Sequence, residues 1–208
     1  MKSLIITAAL LFASSAAQAA TLTFEGDICG GGTSCTNGEA IDQSYGDIAG
    51  QVDVIYDSNL SAAGLQDGFY WNTNYEGLED VAYGSGNPMS ISFAALGGDE
   101  ITVSSFDIAP YADRTVDMFV EVIDMFDNSV LASWDFSPLS TIAFTSLSGV
   151  WSSMAGIELR FTGNTFNLGI DNVVYSAKAD IPPIPLPASA VLLLAGLGGL
   201  VLARRRRS

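Results

Sequence analysis

The sequence predicts an all-β fold, an antiparallel β-sandwich, on three observations. The middle of the chain carries short runs in which apolar and polar residues alternate with period two. Gly, Asn, Asp and Ser separate these runs, and no convincing amphipathic helix lies between them. Short alternating strands punctuated by turn residues describe two packed antiparallel sheets.

Each element has its own basis. "TLTFEG", from Thr21, opens with a short alternating strand. "QVDVIYD" sets Val52, Val54 and Tyr56 against Asp53 and Ile55, and "SISFAAL" and "EITVSSFDIAPY" continue the period. "TVDMFVEVIDMFDNSVLASWDF" reads as two strands around a turn at Asp127 and Asn128, residue types that favour turn geometry. On its first arm Val116, Met118, Val120 and Val122 share one face, opposite Asp117 and Glu121. "GIELRFTG" alternates Ile157, Leu159 and Phe161 with Glu158 and Arg160, and "FNLGIDNVVYS" closes the domain near Ser176. Trp134 and Trp151 lie in strand-like segments and read as core or sheet-face residues.

The ends differ in kind from this middle. "MKSLIITAALLFASSAAQAA" places Lys2 before an apolar stretch and ends in the small residues Ala17-Gln18-Ala19, the three-part order of a secretory signal peptide. Cleavage after Ala19 makes Ala20 the mature start. The expected organisation is a leader over 1–19, a β-sandwich over 20–176, a proline-rich spacer over 177–187, a hydrophobic helix over 188–203 and a basic tail over 204–208. The β-domain is long enough for one sizeable core.

Charge and residue inventory bound the chemistry. The 23 acidic residues all lie between leader and terminal helix, where only Arg114, Arg160 and Lys178 oppose them. Such a surface repels nucleic acid and anionic lipid, attracts cations and favours solubility. Cys29 and Cys35 in "CGGGTSC" are the only cysteines; export to an oxidising compartment makes a local disulfide the expectation. With two cysteines and no histidine, a zinc site and a Ser-His-Asp or Cys-His arrangement drop out. No phosphate-binding loop or EF-hand loop is present, and no carboxylate pair is singled out for glycoside hydrolysis.

"DGFYWNTNYEGLEDVAYGSGN" concentrates Phe69, Tyr70, Trp71, Tyr75 and Tyr83 among Asn and Asp. Two readings stay open. Flat aromatics beside amides and carboxylates suit a polar ligand with apolar faces, such as a sugar, with Phe69, Tyr70, Trp71 and Tyr75 as candidate binding residues. Alternatively, Trp71 and its neighbours anchor a long loop onto the core.

The terminal segment is a short span. Ala188 to Ala203 is uncharged, and as a helix at about 1.5 Å per residue it is about 24 Å long, under the roughly 30 Å of a hydrocarbon core. Thinning and snorkelling make up the difference, and Arg204, Arg205, Arg206 and Arg207 would remain cytoplasmic. A glycolipid-anchor signal would lack this charged end. The proline motif Ile184-Pro185-Leu186-Pro187-Ala188, the single hydrophobic helix and the arginine cluster resemble the PEP-CTERM class of sorting signals, in its VPLPA-CTERM form with Ile for the leading Val. The resemblance implies an exosortase-type processing enzyme as partner and a transient stay in the membrane. The domain then lies outside the cytoplasm, ending at the cell surface or in an extracellular polysaccharide matrix. The implied role is non-enzymatic, structural or adhesive.

"TLTFEG" and "FNLGIDNVVYS" resemble the first and last strands of jelly-roll domains common in such proteins and of galactose-binding-like carbohydrate-binding modules. In those modules the two strands often share a structural calcium, the only cofactor the sequence suggests. The matching residues are Glu25 and Asp171, with Asp27 available as a third carboxylate, and calcium accepts such oxygen ligands from distant positions. The other reading of these residues is that Glu25 ends a strand and Asp171 caps a turn. The alternative function is therefore a calcium-dependent carbohydrate-binding module acting through the aromatic loop, with an extracellular hydrolase as a remote third.

Overall fold

The computed structural model of the chain describes residues 18–58, 67–112, 114–139 and 143–178. The leader through Ala17, the spacer and sorting motif (Ile184 to Ala188), the hydrophobic helix and Arg204 to Arg207 lie outside the described residues. Among the described residues no helix is long and apolar enough to cross a membrane.

Among the described residues, eleven strands form two antiparallel sheets. The first contains β1 (Gln18–Leu22), β3 (Phe69–Trp71), β4 (Val81–Tyr83), β6 (Glu100–Pro110), β9 (Thr145–Ser153) and β11 (Leu168–Lys178). Its order is β3-β4-β11-β6-β9, with β1 also paired to β11. The second contains β2 (Val52–Asp57), β5 (Met89–Ala95), β7 (Met118–Asp124), β8 (Val130–Phe136) and β10 (Gly156–Gly163), in the order β2-β5-β10-β7-β8. One 3-10 turn, Thr165–Asn167, leads into β11.

In β2, β7 and β10 the alternation read from sequence is the alternation of burial, whereas β5 is buried on both faces from Met89 to Phe93 and β6 changes parity between Val103 and Phe106 at a register shift. Val52, Val54 and Tyr56 of β2 are buried while Asp53 and Ile55 are half-buried. Ile157, Leu159 and Phe161 of β10 face the core, as do Met118, Val120 and Val122 of β7. The inner faces meet through aromatic contacts: Phe93 of β5 against Tyr175 of β11 at 4.6 Å, and Phe106 of β6 against Phe161 of β10 at 6.0 Å between ring centres. Trp134 and Trp151 close the seam between the two sheets at 5.7 Å. Side chains interdigitating from two sheets in this way make a sandwich.

The β7–β8 hairpin turns where expected. Asn128 adopts a left-handed φ of 60°, Asn128 N–H donates to the Asp124 carbonyl at 2.9 Å, and Ser129 N–H donates to Asp127 Oδ1 at 2.9 Å. Short polar side chains tolerate this geometry and hydrogen-bond the local backbone.

Three features differ from the sequence reading. β1 begins at Gln18 and ends at Leu22; Phe24 already has φ 53°, so only the start of "TLTFEG" is strand. The aromatic stretch is not one loop, because β3 and β4 pair within it, Phe69 opposite Tyr83 and Trp71 opposite Val81. Strand β11 continues to Lys178 and is interrupted at Asp171-Asn172. There Asp171 lies opposite Asp107 and Val174 opposite Ser105, so β11 holds one extra residue, with Asn172 at φ 51°. This β-bulge reverses side-chain parity: Leu168 and Ile170 point into the core before it, Val173, Tyr175 and Ala177 after it.

The Cys29–Cys35 disulfide is present, with 5.7 Å between Cα atoms. Asp27 organises the loop it closes, accepting from Gly31 N–H at 3.1 Å and Gly32 N–H at 2.7 Å. Beyond the disulfide the chain runs along β3: Gly38 N–H donates to the Tyr70 carbonyl and Tyr70 N–H to the Glu39 carbonyl, at 2.8 and 2.9 Å.

Candidate functional site

The outer face of the first sheet carries a second, smaller core. Alternation sends Ala82 and Ile108 inward, so Val81 and Ala109 project outward, where Tyr75 and Leu78 pack on them beside Trp71 and Tyr111. Gly169, opposite Ala109 in the β11–β6 ladder, leaves the space that the Tyr75 ring enters. Segment 72–80 is folded down by tight turns, with Asn74, Glu76 and Asp80 at positive φ. Leu78 N–H bonds the Tyr75 carbonyl at 2.6 Å, and Ala112 N–H bonds the Asn74 carbonyl at 2.7 Å.

This arrangement leaves a half-open cavity of ≈ 190 Å³ lined by Trp71, Tyr75, Tyr83, Tyr111, Arg114, Phe166 and Asn167. The rings stand on edge to one another. Trp71 meets Tyr111 at 5.8 Å and Tyr83 at 6.1 Å, Tyr75 meets Tyr111 at 5.2 Å, and Tyr83 meets Phe166 at 5.8 Å. Edge-to-face packing places the positive edge of one ring on the negative face of the next. Tyr75 forms the floor at 2% exposure, and Phe166, at 61%, stands at the rim. Burial pushes the Tyr75 hydroxyl pKa above its ordinary value, with the Tyr83 and Tyr111 hydroxyls adding to the effect, so it stays a neutral phenol.

Polar groups are few. The Arg114 guanidinium lies 5.8 Å from the centre of the Tyr111 ring, and Asn167 Nδ2 donates to Asn164 Oδ1 at 2.9 Å. The indole N–H of Trp71 is buried without a hydrogen-bond partner among the described residues. An apolar hollow with a few polar groups on its wall is the usual composition of a small-molecule site.

The structure divides the four aromatic candidates by strand parity. Trp71 and Tyr75 line the cavity, and Phe69, on the same side of β3, packs on Tyr83 at 5.8 Å. Tyr70 points the other way into the main core, where its hydroxyl hydrogen-bonds the Asp80 carboxylate. Tyr111, Arg114, Phe166 and Asn167 were not candidates, because they come from the end of β6 and the turn before β11, far from the aromatic stretch in sequence. The available signal was the outward position of Tyr111 one residue past a long strand.

The carboxylates nominated for calcium are placed as follows. Glu25 and Asp27 are exposed, and Asp27 faces the disulfide loop. Asp171 is 6% exposed and accepts from Asn172 N–H at 2.7 Å. The Asn172 side-chain amide donates to Asp107 Oδ2 at 3.0 Å and to Asp171 Oδ2 at 3.2 Å. Burial, with the negative charges of Asp107, Glu25 and Asp80, raises the Asp171 pKa to about 7. Among the described residues, the set of three metal-capable side chains gathered within 4.8 Å is Cys29, Cys35 and Glu39, whose sulfurs are bonded to each other. Glu25, Asp27 and Asp171 are not that set, and the charge of Glu25 is among those that act on Asp171.

No protein-family model and no curated protein matches the chain. Among solved structures it is similar to the CBM22-1–GH10 modules of a Clostridium thermocellum endo-1,4-β-D-xylanase complexed with xylohexaose. That match has 16% identity and a TM-score of 0.32, over 79% of this chain and 29% of that one. CBM27-1 of Caldicellulosiruptor saccharolyticus, in complex with mannohexaose, matches at 12% identity and TM-score 0.32, over 76% of this chain and 96% of that one. An Arthrobacter globiformis isomaltodextranase complexed with panose matches at 15% identity and TM-score 0.31, over 78% and 33%. Likenesses this distant carry no function from those proteins to this one.

Proposed function

We propose that the chain is a non-catalytic, exported surface or matrix protein that holds a carbohydrate in the aromatic cavity of its first sheet. The observation that carries this reading is the cavity itself: five aromatic side chains around ≈ 190 Å³, with a guanidinium and an amide among them. Sugars present apolar C–H faces to rings and hydroxyls to polar groups, so this lining matches both. The volume lies below the roughly 300–1,000 Å³ of drug-sized sites and suits one sugar ring. Glycoside hydrolysis ordinarily uses two flanking carboxylates; the described lining offers phenols, an amide and a guanidinium instead.

The finer parts of the proposal rest on sequence. The leader and the Ile184–Ala188 motif support export and exosortase-type sorting to the cell surface or a polysaccharide matrix. "TLTFEG" and "FNLGIDNVVYS" support a jelly-roll, galactose-binding-like version of the sandwich. Glu25 and Asp171 are the carboxylates that would hold a structural calcium, a cation that would relieve the crowding of negative charge around Asp171.

A glycan array probed with the full-length chain and its Trp71→Ala variant tests the binding role. Binding lost in the variant is the expected result. An array on which the wild-type chain binds no glycan, or binding unchanged by Trp71→Ala, overturns it.

A further inference from the structure

We infer that the cavity selects a sugar bearing a carboxylate, a hexuronate, and that Arg114 is the residue that reads it. This rests on the carbohydrate reading above and adds the ligand's charge. Between leader and terminal helix, 23 acidic residues face three basic ones. Arg160 is committed to Glu158 through two parallel bonds, Nε to Oε1 at 2.8 Å and Nη2 to Oε2 at 3.0 Å. Lys178 ends β11, away from the cavity lining. Arg114 has no ion-pair partner among the described residues, yet it is the cation on the cavity wall.

Its position is built by the backbone. The turn after β6 closes with Arg114 N–H donating to the Tyr111 carbonyl at 3.1 Å. This brings the side chain back over the Tyr111 ring, 5.8 Å from its centre. That ring is packed edge-on against both Trp71 and Tyr75, so the ring face toward which the guanidinium is turned is fixed. A guanidinium attracted to a ring face can still present its planar N–H fork edge-on, and that fork matches a carboxylate in a bidentate arrangement. A neutral sugar would leave that fork to water.

The screening length is about 8 Å at physiological ionic strength, so most of the acidic surface acts on a ligand's approach, which added salt would speed. Glu76 and Glu79, in the segment that carries Tyr75, are the carboxylates nearest in sequence to the cavity floor, and Arg114 is the cation set against them on the cavity wall.

The test is titration calorimetry at 0.15 M salt on the full-length chain, with oligogalacturonate and oligoglucuronate, each beside its neutral galactose or glucose counterpart. The expected result is at least one uronate bound about tenfold or more tighter than its neutral counterpart. Arg114→Gln should erase that ratio and Arg114→Lys restore part of it. Arg114 is exposed, so near-ultraviolet circular dichroism should show both variants folded. Equal binding of the charged and neutral sugars, or a ratio that survives Arg114→Gln, overturns the inference and leaves the carbohydrate reading standing. No binding of any of the four, with none on the glycan array, overturns both.

Discussion

Gly169 lies beneath the ring of Tyr75: a Cβ at position 169 would come within 2.6 Å of Tyr75 Cδ1 and 2.7 Å of its Cγ. Neither atom is the free end of a flexible chain, and Val81 Cγ2 would stand only 3.0 Å from the same Cβ. Gly169→Ala should therefore lift the Tyr75 ring out of the cavity floor and destabilise the fold by about 1–3 kcal/mol through overpacking. Urea denaturation and glycan affinity measured on the same variant check this. A stability unchanged from wild type would mean that the floor yields freely.

Phe166 stands at the rim and touches the cavity more than the core. Phe166→Ala should change stability by no more than about 0.5 kcal/mol, yet lower sugar affinity about threefold to tenfold. Loss of stability with unchanged affinity would reassign the ring to packing.

Asp171 gives the fold a pH dependence of definite sign. Its pKa is raised from 3.8 to about 7 when folded. Below 3.8 both states hold the proton; between the two values only the folded state does, so its contribution to stability falls as pH rises through this window and levels off above it. In chelator, wild type should lose stability relative to Asp171→Asn between about pH 4 and 7. Denaturation midpoints of both proteins across that range test it, and a difference that does not vary with pH would refute it.

The calcium part of the proposal predicts a ligand-linked gain in stability. An ion that binds the folded state alone raises the melting temperature with its concentration, and Glu25→Gln should remove most of that rise. Identical melting curves in calcium and in chelator would eliminate Glu25 and Asp171 as a site.

The Cys29–Cys35 bond closes a loop with a sequence separation of 6. Chain entropy for so short a loop is worth about 2 kcal/mol. The segment after it is hydrogen-bonded to β3, the strand that carries Trp71. Replacing both cysteines by serine should cost about that much stability without unfolding the domain. A cost near zero would show that the hydrogen bonds of Asp27 to Gly31 and Gly32 hold the loop unaided.

Sequence alone determined the strands with clean apolar–polar alternation, β2, β5, β7 and β10, because side-chain period is a local property of the chain; in β6 the buried set passes from Ile101 and Val103 to Phe106 and Ile108 at a register shift, which the period alone does not give. It also determined the 127–128 turn, through residues that tolerate left-handed backbone, and the disulfide, since two cysteines leave one pairing. Tertiary structure decided the rest. The three-residue strands β3 and β4 are too short to show a period and exist through pairing with each other and with β11. The bulge at Asn172 reverses parity within one strand, so a continuous alternation could not be followed from Leu168 to Ala177. The cavity draws Trp71 from β3, Tyr111 from the end of β6 and Phe166 from the turn before β11. Only the pairing of those strands brings such distant residues to one wall, where Gly169 leaves room for Tyr75.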